Sequence, residues 1–242
     1  MRRGSREHIL SWTDSRGFYA DFLQLVGIPE CQPAQGPHWM PQGHAFPEEA
    51  RLDLCGAELL PGTDCWDSYA NWWLAYRPGA NTPNWDVALT CTIKEKPGLI
   101  LVEAKAHEGE LDWAGKRLQA DATEHSRSNH TQIGLAIAQA SEALGTIVPG
   151  VSLSHDSHYQ LANRIAHSWR LASLNIPVIL VYLGFLGDSS VGRPLKSDSH
   201  WNSLLQDYFA GVIPEAFVDR WISCGPAEMR IIIRTRPAEG IA

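Results

Sequence analysis

Residues 177–186, PVILVYLGFL, constrain the fold more than any other part of the chain. They carry no charge and directly follow a segment of helical periodicity. At about 3.3 Å per residue a strand of this length spans a domain core, and it falls well short of the ~20 apolar residues of a membrane helix. A strand that is apolar on both faces needs a cover on both sides, so it belongs in the middle of a sheet flanked by helices. The fold class that follows is α/β.

The segment before it, 158–174, reads as an amphipathic helix. Leu161, Ile165, Trp169 and Ala172 form one stripe, and Gln160, Asn163, Arg164, His167 and Arg170 a narrow polar one. Upstream, 15–27 has helical spacing (Phe18, Phe22, Leu25) that ends before Gly27 and Pro29. Residues 29–47, rich in Pro, Gly and Gln, read as an irregular connector. A second helix is expected over 48–60, with Glu48 and Glu49 at its positive end. Strands are expected at 69–76, 85–93 and 99–106, joined as hairpins, the last turn at 94–98. Residues 107–129 lack periodicity; 132–144 is helical, closed by Gly145; and 229–236 reads as a final strand. The order from 48 to 186 is helix, three strands, helix, strand. The whole chain, 1–242, suits one domain: an N-terminal helix and connector (1–47), a core (48–186) and a C-terminal extension (187–242).

The tripeptide Glu103-Ala104-Lys105 is where chemistry concentrates. With 27 acids among 242 residues and few Lys, roughly one acid-x-Lys match is expected by chance in every two such chains. Its position gives it weight. Side chains alternate along a strand, so Leu99, Leu101, Glu103 and Lys105 share one face, apolar until its last two members. A turn centred on Lys96 sets Asp86 opposite position 105 or 106, and a one-residue change in turn length sets it beside Lys105 and diagonal to Glu103. Two carboxylates with the Ala104 carbonyl are hard oxygen ligands of the kind Mg²⁺ takes, and Lys105 is a compact cation able to orient an attacking water. A surface Glu–Lys pair with an unrelated Asp is the competing explanation of the same residues.

Asn84-Trp85-Asp86, followed after sixteen residues by Val102-Glu103-Ala104-Lys105, resembles the core of the PD-(D/E)xK nuclease superfamily. The resemblance implies a restriction-endonuclease-like αβββαβ core, a mixed central sheet flanked by helices. Glu103-Ala104-Lys105-Ala106-His107, with Tyr159-Gln160-Leu161-Ala162-Asn163-Arg164 downstream, is similar to a bacterial branch of it. Pro83 stands two residues away from Asp86, so the literal Pro-Asp dipeptide is absent. The resemblance implies Mg²⁺, with Mn²⁺ able to substitute, held by Asp86, Glu103 and the Ala104 carbonyl. It implies catalysis assisted by Lys105, and Gln160 as a further site residue. The aromatic residue that often follows the Gln by four positions is Arg164 here, a side chain able to clamp a phosphate. Asn163 and His107 are further candidates at the substrate, Glu110 lies near the mouth of the site, and Glu48, Glu49, Glu58 or Asp67 is expected to add a carboxylate.

The implied function is metal-dependent hydrolysis of nucleic-acid phosphodiesters, of DNA more than RNA. The alternatives are a non-catalytic nucleic-acid-binding or assembly module on the same fold, or a hydrolase of small phosphate esters. A net charge of −7 offers no global basic field for a polyanion. A local stripe from Arg230, Arg234 and Arg236, with Arg2, Arg3 and Arg6, could still track a phosphate backbone; the other account of those arginines is a charged edge strand. Five Cys, never spaced C-x-x-C, argue against zinc ribbons and disulfide frameworks. Ser11, Thr13 and Asp14 interrupt any signal-peptide core. A cytoplasmic protein with no membrane partner is expected, with homo-oligomers left open.

Overall fold

The computed structural model describes residues 4–238. In chain order the elements are α1 (Ser5–Thr13), α2 (Phe18–Val26), β1 (Cys31–Pro33), β2 (Trp39–Met40), α3 (Leu52–Leu59), α4 (Trp66–Trp73), β3 (Val87–Ile93), β4 (Lys96–Lys105), α5 (Glu124–Ile147), α6 (Tyr159–Ser173), β5 (Val178–Leu186), α7 (Asp198–Phe209), β6 (Ile222–Ser223) and β7 (Glu228–Pro237). One mixed sheet runs β1-β3-β4-β5-β7-β6, with β2 also pairing β3. β3 and β4 are antiparallel, whereas β4, β5 and β7 run parallel.

β5 is central, as its composition requires. Val178, Leu180 and Tyr182 face the layer of α3 to α7, while Ile179, Val181, Leu183 and Phe185 face α1 and α2. Each face of the sheet thus carries its own apolar cluster, giving three layers with the strand sheltered from water on both sides. On the first face α6 lies against the sheet, and Leu161, Ile165 and Ala172 are wholly buried. Most of its polar stripe is also covered: Asn163, Arg164 and His167 are buried, and Gln160 and Arg170 are half-buried. Solvent does not explain that stripe.

Several expected elements differ. Residues 69–76 do not form a strand; α4 occupies most of them. Its aromatic residues have high strand propensity, yet Tyr69, Trp72 and Trp73 recur at the helical spacing and bury one face. The outer partners of β3 are instead the short β1 and β2, drawn from the expected connector. The helix expected over 48–60 starts only at Leu52, so Glu48 and Glu49 precede it outside any helix or strand, and Asp53 takes the acidic place in the first turn. α5 begins eight residues earlier than the periodicity suggested, where Thr123 accepts from the Ser126 amide as its cap, and it continues through Gly145. Within the C-terminal segment, β7 pairs with β5 from Val178↔Met229 to Leu186↔Pro237.

The arginines of β7 are committed to the fold. Arg230 pairs with Asp219 at 2.7 Å, and Arg234 donates to the carbonyls of Leu25 and Val26 at the end of α2. Arg236 lies 4.3 Å over the Trp12 ring. Arg6 pairs with Glu49, while Arg2 and Arg3 lie outside the described residues. A phosphate-tracking stripe, one of the two accounts of these arginines, is therefore not assembled among the described residues. No helix among the described residues is long and apolar enough to cross a membrane.

Candidate active site

The hairpin between β3 and β4 sets the site. Its turn is Lys94-Glu95 alone, both with positive φ (48° and 67°), the two-residue geometry whose twist matches that of the strands. The last paired position is Val87↔Val102, so the register carries Asp86 across from Glu103 rather than beside Lys105. The expected five-residue turn would have displaced it along the ladder; no Gly or Asn marked the shorter one. Trp85 fixes the approach: it is fully buried and exchanges backbone hydrogen bonds with Ala50, at 2.9 and 3.3 Å. Asp86 Oδ2 then accepts from the Ala104 amide at 2.7 Å.

Glu103 is buried (1% exposed) and its two oxygens face two cations. The Lys105 ammonium meets Oε1, and Arg164 Nε donates to Oε2 at 2.5 Å. Arg164 reaches in from α6, with its guanidinium 4.7 Å over the Trp85 ring and Nη1 donating to Asn163 Oδ1 at 3.1 Å. Burial raises the Glu103 pKa, but the charges of Arg164 and Lys105 outweigh it, and the carboxyl sits below its ordinary value. Asp86 has no such partner. Burial first, then the Glu103 charge, push it up to about 7, against the smaller opposing pull of Lys105, the Ala104 amide and Arg164. Two carboxyls thus lie side by side with their protonation driven apart, a feature that clusters at functional sites.

These groups open on a cavity of about 560 Å³, lined also by Asn84, Tyr159 and Gln160. Its carboxylates are Glu49, Asp86, Glu103, Glu110 and Asp112, against the cations Lys105 and Arg164. Gln160 sits one helical turn before Arg164, and its Oε1 is buried without a hydrogen-bond partner. Of the four proposed extra acids only Glu49 reaches the cavity, where Asn84 Nδ2 donates to it at 3.1 Å. Glu48 and Glu58 are exposed elsewhere, and Asp67 pairs with Arg77 on the surface. His107 does not line the cavity; its ring caps the short helical turn Glu108–Glu110. Glu110 does line it, but it is occupied in joining the Ser5 amide and hydroxyl to the Ala106 amide at the end of β4.

Arg164, a candidate phosphate clamp from the sequence, is bound to Glu103 through its Nε. Asn81, Thr82 and Asp112 carried no signal in the sequence; Asn84 and Tyr159 stood in its motifs without a role of their own.

Among the described residues, no group of three or more His, Cys, Asp or Glu side chains is arranged to hold a metal ion. What the cavity offers is a carboxylate pair in an acid excess, with one orphaned amide oxygen. That donor set is hard and anionic, and it suits Mg²⁺ or Mn²⁺ better than a softer metal. No family model, curated protein or solved structure matches the chain.

Proposed function

We propose that the chain is a metal-dependent phosphodiesterase of the PD-(D/E)xK type acting on nucleic acid, with a restriction-endonuclease-like arrangement of β3, β4 and β5. The observation that carries the reading is the level pairing of Asp86 with Glu103 across the hairpin, with Lys105 buried beside them. Asp86, Glu103, the Ala104 carbonyl and Gln160 Oε1 would hold Mg²⁺ or Mn²⁺. When bound, the ion supplies charge neutralisation at the phosphate and acidifies water.

The chain's own residues do the rest. Lys105 needs no ligand role: its ammonium, fixed by Glu103, orients the attacking water and offsets charge developing on the phosphate oxygens. Gln160 Oε1, a buried acceptor at the cavity, takes a hydrogen bond from that water or ligates. The Ala104 amide holds one Asp86 oxygen, leaving Oδ1 for the ion. The acid excess matters as well, since five carboxylates against two cations would repel a phosphodiester unless a cation entered first.

The test is a panel of single-stranded, duplex, linear and circular substrates with Mg²⁺, Mn²⁺, Ca²⁺ or EDTA. Cleavage is expected with Mg²⁺ and Mn²⁺ and little with Ca²⁺, which is larger and a weaker activator of water. Lys105→Ala is expected to abolish cleavage while calorimetric Mn²⁺ binding persists. Metal-independent nucleic-acid binding without cleavage would favour a binding module instead. Turnover of small phosphate esters alone would favour a different hydrolase.

A further inference from the structure

A second concavity of about 540 Å³ adjoins the cavity of the carboxylate pair, and Asn81 lines both. One stretch of chain connects them. It passes from Asp112, in the first cavity, to Lys116 and Arg117, in the second. At Gly115 this stretch runs so close to the 155–158 segment that a Cβ would lie 2.1 Å from the Asp156 carbonyl oxygen. Only glycine fits there. The resulting contact is tied by the Lys116 amide to the His155 carbonyl (2.7 Å) and by the Tyr159 amide to the Ala114 carbonyl (2.9 Å).

This backbone contact fixes where Lys116 points. Its ammonium lies 4.7 Å from the centre of the Tyr159 ring, a residue that also lines the carboxylate cavity. Lys116 is half-buried, and neither it nor the exposed Arg117 has a carboxylate within ion-pair distance among the described residues. Burial lowers the Lys116 pKa, and Asp121, the carboxylate that lines the same cleft, forms no ion pair with it. Without its ion, the neighbouring cavity, in which carboxylates outnumber cations, holds a single phosphate at most weakly and offers nothing to the next phosphates of a strand. Cations one side chain away from it are where that affinity has to come from.

We propose that Lys116 and Arg117 bind backbone phosphates of a polynucleotide strand that runs from the carboxylate cavity past Asn81 and Tyr159 into this second cleft. The proposal rests on the phosphodiesterase reading above and narrows it, because a small phosphate ester would fill the first cavity and have no use for the second. The probe is a labelled oligothymidylate, its binding followed by fluorescence anisotropy in Ca²⁺ between roughly 50 and 200 mM salt. Lys116→Gln/Arg117→Gln is expected to weaken binding at least ~tenfold at low salt. It should also lower the slope of log affinity against log salt by about 1.4, at ~0.7 for each phosphate of a single strand that is no longer neutralised. Arg117→Glu, at an exposed position where folding is not at stake, should weaken binding in the same direction. Mn²⁺-dependent cleavage of bis(p-nitrophenyl) phosphate should stay within about twofold of wild type in all variants. If the variants bind the oligonucleotide with wild-type affinity and slope while the small ester is still cleaved, the strand path falls and the metal-site reading stands. If strand binding is lost in the variants but wild type cleaves nothing with any metal, the strand path stands and the metal-site reading falls.

Discussion

Replacing Asp86 by Asn tests the carboxylate pair without any assay of activity. The folded protein holds this carboxyl up at about 7, whereas the ordinary value is 3.8. A group raised in this way contributes stability below its unfolded value and loses it as pH rises through the folded one. At 1.36 kcal/mol per pH unit, a rise of roughly three units means that ionised Asp86 opposes folding by about 4 kcal/mol above pH 7. Asn is neutral, of the same shape, and still accepts from the Ala104 amide. In EDTA, Asp86→Asn should therefore be more stable than wild type, by little at pH 4 and by up to about 4 kcal/mol at pH 8. Urea unfolding at four or five pH values reads this directly, as a difference that opens with pH and then levels off. Adding Mn²⁺ should reverse the order, stabilising wild type and leaving the variant unmoved, because a ligand that binds only the folded state adds its own free energy. A difference that does not change with pH would refute the reasoning, since it would mean that Glu103 and burial do not act on Asp86 as the geometry requires.

Two further outcomes follow from neighbouring residues. Arg164→Gln removes one of the two cations on Glu103; it should cost about 3 kcal/mol in EDTA, as breaking a buried pair does. The same variant should bind Mn²⁺ more tightly by calorimetry, and a loss of affinity would instead make Arg164 a helper of the metal. His167 is fully buried among Tyr69, Trp72 and Trp73 with neither ring nitrogen paired, and burial, then the Arg164 charge, hold its pKa well below 6.5. Below pH 6.5 the unfolded chain takes up a proton that the folded chain refuses, so this residue removes about 1.4 kcal/mol of stability per pH unit. His167→Phe should flatten the acid limb of the unfolding profile, and an unchanged limb would place its cause elsewhere. Asp86 acts with the opposite sign between about pH 4 and 7, so each variant exposes the slope that the other group masks in wild type.

The chain's local periodicities already determined much of this architecture. The apolar run of β5 required a central strand, and the spacing of Leu161, Ile165 and Ala172 required a helix against it, because burial of both is dictated within a few residues. Alternation along β4 likewise put Glu103 and Lys105 on one face, and helical spacing put Gln160 and Arg164 on one stripe. The tertiary structure alone decided what those groups meet. Asp86 stands level with Glu103 because a two-residue turn at Lys94-Glu95 adopts positive φ without the glycine that would announce it. α4 is a helix because its aromatic residues are buried by α6 and its neighbours, and burial overrides their preference for strands. Arg164 is bound to a glutamate sixty-one residues away, an encounter that only the parallel placement of β5 beside β4, with α6 laid across them, brings about. Local sequence fixes which way a side chain faces; which charge waits there depends on how distant segments pack, and the electrostatics of this site are made almost wholly of such distant pairs.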